Sequence, residues 1–399
     1  MVETSSAEIL RGSAGADRDP LPSAMIALSA LASILLSACD QNTSAPPYPR
    51  SETILDMVMD WSTLRQEAPG SDLWPITWGD DGHQYVSWGD GGGFGGTNRE
   101  GRVNIGVARI EGNWDRPSFK NIWGGRNAEN PNHWAGTTTS AIGKSVGIIS
   151  IDDRLYMWIN GIERYAYEEC WISESLDGGA SWSKRAWGFT NSDLLAVPTF
   201  IQFGRGYRNA RDSYVYTYFK YMRNPDEKWA GRTPEARIPP DGRLVLARVH
   251  RDSVMDRDAY QWFAGKDEEG APLWSSNIAD KRSVFEEPAG IRAVAVAFNQ
   301  GLGRYILTNT HYDLGSNLGV FEAPEPWGPW STVKYWNDNG SGNRFAPDDM
   351  VGGHLIHSLS NKWTSADGRE FSMIFSDWDD WTHVRGRFIT NDTVSTPNQ

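Results

Sequence analysis

The stretch "RLYMWINGIERYAYEECWISESLDGGASW", residues 154–182, decides the fold. It carries an aromatic run at Arg154, a second apolar run at Glu169 ("ECWISES") and a Gly/Asp turn. Short aromatic and β-branched runs cut by turn residues read as strands, not helix. Its end, Ser175–Trp182, has the spacing S-x-D-x-G-x-x-W. In such a turn Ser175 and Asp177 satisfy hairpin backbone groups while Trp182 packs beneath, so Asp177 is expected to be structural.

The same pair of runs recurs along the chain. Aromatic members begin at Gln84 ("QYVSW"), Arg154, Ser213 ("SYVYTYF"), Arg304 ("RYILT") and Glu370 ("EFSMIF"). Their followers begin at Val103 ("VNIGVARI"), Glu169, Arg243 ("RLVLARV"), Asn317 ("NLGVFEAP") and His383 ("HVRGRFI"). Five copies of a four-strand unit predict an all-β, five-bladed β-propeller, because each blade buries its faces only against its neighbours. A β-sandwich is the rival architecture. Two short segments, Glu52–Gln66 and Arg251–Phe263, are the best helical candidates.

The N-terminus reads as a separate region. Met25–Ala38, "MIALSALASILLSA", is too short for a permanent membrane span and suits a secretory signal. It ends in "LSAC", similar to a bacterial lipobox, with Cys39 as the lipidated residue. Residues 1–38 are therefore expected to be a lipoprotein-type signal, 39–54 a flexible tether and 55–395 the propeller. The expected location is the bacterial cell envelope, periplasmic or surface-exposed, with the membrane reached through the Cys39 anchor. The other cysteine, Cys170, reads as a buried small hydrophobe. A formal charge of −13 disfavours nucleic acid as a partner. Twenty tryptophans suit either an all-β core or sugar rings, whose apolar C–H faces stack on indoles. A monomer is expected.

Candidate chemistry lies in "SDLWPITWGDDGHQYVSWGDGGGFGG", residues 71–96. "LWPITW" and "QYVSW" read as strands joined by "GDDGH", which assigns Asp80 and Asp81 to the turn. A three-residue loop pairs 79 with 83, and the same register brings Asp72 opposite Asp90, about 5 Å apart if pairing persists. A one-residue slip widens that gap. Two close carboxylates push one pKa up and leave a protonated acid beside an ionised base, as glycoside hydrolysis requires. The glycines after Asp90 leave room for a ligand near the backbone, without Walker or Rossmann spacing.

Candidate substrate-binding residues are Trp74, Trp88 and Phe94, with Lys144 and Glu168 at the openings of strands in the second copy. "RNARD" (Arg208–Asp212) reads as an internal Arg–Asp pair. His354 and His357 have spacing that suits a metal only on a helix, which the surrounding glycines oppose, so neither metal nor cofactor is expected.

Together these stretches, with "GKSVGIISIDDRLYMW", "FGRGYRNARDSYVY", "FEEPAGIRAVAVAFNQGLGRYIL" and "EPWGPWST", resemble a bacterial five-bladed propeller family long filed as a domain of unknown function. That family is similar to the endo-D-arabinanases of glycoside hydrolase family 183. The resemblance implies an inverting hydrolase of polysaccharide, D-arabinan being one substrate, with Asp72 as general base and Asp90 as acid. "SDLWPITW" and "GDGGGF" depart from the shorter segment and the Gly-Asp-Thr of the arabinanases, which alters the pocket. Two alternatives stay open: a non-catalytic propeller that binds carbohydrate or an envelope partner, and a sialidase-like hydrolase, since "SLDGGASW" fits the aspartate box of sialidase-like propellers.

Overall fold

The computed structural model describes residues 45–391, apart from 133–142, 164–165, 184–185, 223–241, 312–316, 338–341, 349 and 351–354; side chains of 162, 163, 166–168 and 191 are also outside the description. The signal segment and Cys39 lie outside the described residues. Thr43–Gln399 forms one compact unit. Its first strand, β1 (Ile54–Glu67), is followed by β2 (Ile76–Trp78), β3 (Gln84–Gly89), β4 (Ile105–Glu111) and β5 (Ser118–Trp123). Then come β6 (Lys144–Ile151), β7 (Arg154–Glu163), β8 (Ala166–Ser175) and β9 (Phe189–Thr190). A third group holds β10 (Leu195–Gln202), β11 (Tyr214–Tyr221), β12 (Gly242–His250) and β13 (Gln261–Lys266), with β14 (Pro272–Ser275) and β15 (Ser283–Glu287) added outside. The fourth is β16 (Ala293–Asn299), β17 (Arg304–Thr310), β18 (Leu318–Ala323) and β19 (Ser331–Trp336). The fifth is β20 (Leu355–Leu359), β21 (Glu370–Ser376) and β22 (Trp381–Thr390), completed by β1.

Each group is an antiparallel meander, and a short parallel pairing of Ile201–Gln202 with Val296–Ala297 joins the third to the fourth. The five inner strands, β2, β6, β10, β16 and β20, send Ile76, Ile148, Phe200, Val296 and Leu359 to a common axial channel. That convergence is the arrangement of a β-propeller. Its core lies between adjacent units: Tyr85 and Val107 meet Ile148 and Met157, and Leu318 and Val320 meet Phe371 and Met373. Between the last and first units, Ile374 and Trp381 join Trp74, Ile76 and Trp88 in one cluster, which closes the ring.

All five aromatic runs and their followers form the second and third strands of successive units, paired as β3/β4, β7/β8, β11/β12, β17/β18 and β21/β22. The expected aspartate-box turn is also present: Ser175 Oγ donates to Asp177 Oδ1 at 2.8 Å, the same carboxylate accepts Ser181 N at 2.9 Å, and Trp182 Nε1 bonds Gly179 O. Cys170 is buried, and burial pushes its thiol pKa up.

The two helical expectations are corrected. Residues 54–67 form a fourteen-residue strand antiparallel to β22, with Met57, Met59 and Trp61 turned inward and Val58 outward. Sheet pairing along a whole edge outweighs the weak helix propensity of an isolated segment. Residues 251–263 make two single-turn 3₁₀ helices, Arg251–Ser253 and Arg257–Ala259, before β13 begins.

Gly106 gives a direct test of the interior packing. A Cβ there would lie 2.1 Å from Cζ2 of the fully buried Trp88. Gly106→Ala should therefore cost about 1–3 kcal/mol by overpacking. The check is the denaturant midpoint of unfolding, and an unchanged midpoint contradicts the packing described.

Candidate active site

The β2–β3 hairpin has the expected register near its turn, with Ile76 opposite Val86, Thr77 opposite Tyr85 and Trp78 opposite Gln84. Asp81 is a turn residue: its carboxylate accepts His83 N at 2.9 Å and Tyr85 OH at 2.7 Å. Asp80 sits in the same turn and meets Arg208, with Arg205 bonding its carbonyl. The expected Arg–Asp pair within "RNARD" is thus corrected: Arg208 meets Asp80, Arg211 pairs with Glu325, and Asp212 accepts Tyr216 OH.

At the open end the register slips by one. Asp72 exchanges both backbone bonds with Gly89, each at 2.9 Å, so it faces Gly89 and not Asp90. The slip comes with left-handed backbone at Leu73 (φ 85°), Trp74 (φ 57°) and Asp90 (φ 55°). Non-glycine residues in that region cost energy and persist only where neighbours hold them. The hold is visible: Trp74 Nε1 donates to Ser71 O at 3.2 Å and to Asp380 O at 2.7 Å.

Gly89 makes the meeting point of the site. A Cβ there would lie 2.8 Å from Lys144 Cδ, 2.9 Å from Asp72 Oδ1 and 3.0 Å from Leu73 Cδ1. Absence of a side chain therefore lets the Asp72 carboxylate and the Lys144 stem approach across the strand. Lys144 Nζ, at the start of β6 in the next unit, ion-pairs with Asp90 Oδ1. Arg102 Nη2 reaches the same oxygen at 3.0 Å. Asp379, from the turn between β21 and β22, completes the group: its carboxylate takes a hydrogen bond from Asn98 and feels Asp90, Arg102 and Lys144.

The electrostatics separate the carboxylates. Asp72 Oδ1 is sealed from solvent. Burial pushes the Asp72 pKa up from 3.8 to about 7; Lys144 opposes this, and the negative charges of Asp90 and Asp379 add to it. Asp379 is also raised, first by burial and then by Asp90. Asp90 is instead held by two cations. The arrangement can offer a proton from one carboxyl beside a second that is charge-paired, under an inward-facing lysine.

Several expected site residues fall elsewhere. Trp74 and Trp88 are fully buried and stack on each other at 5.7 Å, which corrects their expected role as sugar platforms. They are core because the propeller joint must be filled at that seam. Phe94 spends its face on Phe119, with centroids 4.1 Å apart and planes at 12°, a second correction. Most of the glycine loop packs against its own chain, a Cβ on Gly91 lying 2.1 Å from Gly70 O, whereas Gly95 at its tip has open space, so the expected room for a ligand is confined to the tip. The side chain of Glu168 and the whole of His354 lie outside the described residues. His357 is buried against Phe375 and beside Thr310 Oγ1 at 3.2 Å. Among the described residues no three His, Cys, Asp or Glu side chains group as a metal site, and no helix is long and apolar enough to cross a membrane. Arg102, Asn98 and Asp379 were missed. Arg102 follows the glycine loop directly, whereas only ring closure brings Asp379 near.

The raised Asp72 pKa sets a pH test of stability. The folded chain keeps this proton to about pH 7, whereas the unfolded chain releases it near 3.8. Stability lent by the protonated carboxyl is therefore complete at low pH and lost as pH rises to about 7. Asp72→Asn stays neutral throughout. Relative to wild type it should gain on the order of 1–4 kcal/mol between pH 4 and pH 8, read as diverging thermal unfolding curves. Parallel curves across that range contradict the burial of Asp72.

Comparison with known proteins adds the following. No curated protein matches the chain. Among solved structures, the GH43_1 enzyme from Xanthomonas citri complexed with xylotriose is 13% identical with a TM-score of 0.46, covering 84% of this chain and 97% of that one. A thermostable family-43 glycoside hydrolase is 12% identical with a TM-score of 0.43, covering 83% and 96%. The alpha-L-arabinofuranosidase from Podospora anserina in complex with cellotriose is 8% identical with a TM-score of 0.40, covering 85% and 98%. Likeness at this level has no bearing on activity. A family profile, by contrast, spans every unit of the ring, from residue 70 to residue 385, and the chain belongs to that family, described as Domain of unknown function (DUF4185).

Proposed function

We propose that the protein is a glycoside hydrolase acting on a cell-envelope or environmental polysaccharide, D-arabinan being the first substrate to test, through Asp72 and Asp90. The observation that carries this reading is the meeting around Gly89 of Asp72, half-buried with its Oδ1 sealed and its pKa raised, with a cation-held Asp90. Strained backbone on both sides of the pair supports a functional origin.

The charges favour one division of labour. Asp72 holds its proton near neutrality and would pass it to the departing glycosidic oxygen. Asp90, paired with Lys144 and Arg102, would take the proton of the attacking water. This exchanges the roles that the family resemblance implies. The one-residue offset between Asp72 and Asp90 supports space for a water between them, and so inversion at the anomeric carbon.

Release of reducing ends from D-arabinan, L-arabinan and xylan tests the reading. Asp72→Asn and Asp90→Asn should each lower kcat by about 10²–10⁴. Activity of the wild type should fall above about pH 7 as Asp72 loses its proton. An aryl glycoside, whose leaving group needs no proton, should restore Asp72→Asn and leave Asp90→Asn inactive. The reverse pattern reinstates Asp72 as the base, and equal release by all three proteins removes both residues from the mechanism.

We further propose attachment to the cell envelope through lipid on Cys39, on the strength of "LSAC". Palmitate labelling should be lost in Cys39→Ser, with the protein moving to the soluble fraction; retained labelling rejects the anchor.

A further inference from the structure

We propose that Trp378 is a sugar-stacking platform at the carboxylate site, with the neighbouring Asp379 accepting hydroxyl hydrogens from the same sugar unit. The proposal rests on the glycosidase reading above. Trp378 stands in the turn between β21 and β22, sequence "SDWDDW" from Ser376 to Trp381. It is 61% exposed, whereas Trp74, Trp88 and Trp381 around it in the sequence and at the seam are fully buried. Its backbone is left-handed, at φ 59°. A non-glycine residue keeps a left-handed backbone only where its surroundings hold it, and such strain clusters at ligand-binding sites.

The turn is pinned from several directions. Gly70 N donates to Asp379 O at 2.5 Å, and Trp74 Nε1 donates to Asp380 O at 2.7 Å. Ser376 Oγ donates to Trp378 O at 3.0 Å, and Asp377 N to Asp380 Oδ1 at 3.2 Å. Thr382 Oγ1 and Gln66 Nε2 bond the two oxygens of Asp380, at 2.6 and 2.9 Å. The first two of these bonds fasten the turn to residues 70–74, the segment that carries Asp72. The Asp379 carboxylate already interacts with Asn98, Arg102, Asp90 and Lys144. A flat apolar ring is thus joined through one peptide to a carboxylate of the site. Sugars need that combination, an apolar face to cover C–H bonds and fixed acceptors for hydroxyls. Pre-positioning by the pinned turn lowers the ordering cost of binding.

The test compares wild type, Trp378→Ala and Trp378→Phe on D-arabinan, L-arabinan and xylan, using Asp72→Asn forms of all three for binding. Trp378→Ala should raise KM about tenfold with kcat nearly unchanged, and Trp378→Phe should recover most of the loss. Saccharide binding should quench tryptophan fluorescence in Asp72→Asn and not in Asp72→Asn with Trp378→Ala. Superimposed unfolding curves guard against a folding defect. If Trp378→Ala matches wild type in KM on a glycan that wild type cleaves, the platform is wrong and the hydrolase reading stands. If wild type neither cleaves nor binds any of the three glycans, both fall.

Discussion

Pairing of β1 with β22 is the constraint on which the rest of the molecule depends. The last unit takes three strands from the end of the chain and its outermost from the beginning. A ring of meanders without such a closure leaves two faces at the seam with nothing to bury against. Here that seam is filled by Trp74, Trp88, Ile374 and Trp381. One indole N–H, on Trp74, bonds carbonyls on both sides of it. The hydrophobic seam and the carboxylate site are therefore neighbours, and the same closure that stabilises the ring delivers Asp379 to Asp72 and Asp90.

The carboxylate site draws on three units of the ring. Asp72 and Asp90 come from the first unit, Lys144 from the second and Asp379 from the fifth. No two adjacent strands supply both the acids and the lysine. Three half-buried acids this close repel one another, and the excess is relieved in two ways. Lys144 and Arg102 neutralise Asp90, while Asp72 keeps its proton. A single alanine or larger residue at position 89 would disturb all of this at once, because the Lys144 stem and the Asp72 carboxylate occupy the space its Cβ would need.

Much of the fold was legible because propellers repeat. Five aromatic strands and five followers could be marked by composition, and each fell in the same place in its unit. The aspartate box was equally readable, since Ser175, Asp177 and Trp182 interact within a few residues. β1 was misread although "MVMDWS" alternates inward and outward with period two; its partner lies at the far end of the chain, where no local pattern points. At the site, the hairpin register was right for three pairs and slipped where Leu73 and Trp74 turn left-handed, a feature composition does not encode. Lys144 was placed by its position at the mouth of an inner strand. Trp74, Trp88 and Phe94 show the limit of reading aromatics by type: the seam needed them as filling, and Trp378, among the described residues the one exposed indole, was passed over. Asp379 was out of reach because its neighbours are some three hundred positions away along the chain.

The axial channel has a consequence for how the five units are tied together. Ile76, Ile148, Phe200, Val296 and Leu359 meet there around a cavity of about 20 Å³, about the space of one water. Close-packed side chains from all five inner strands transmit strain, so a change of volume in any one of them presses on the other four.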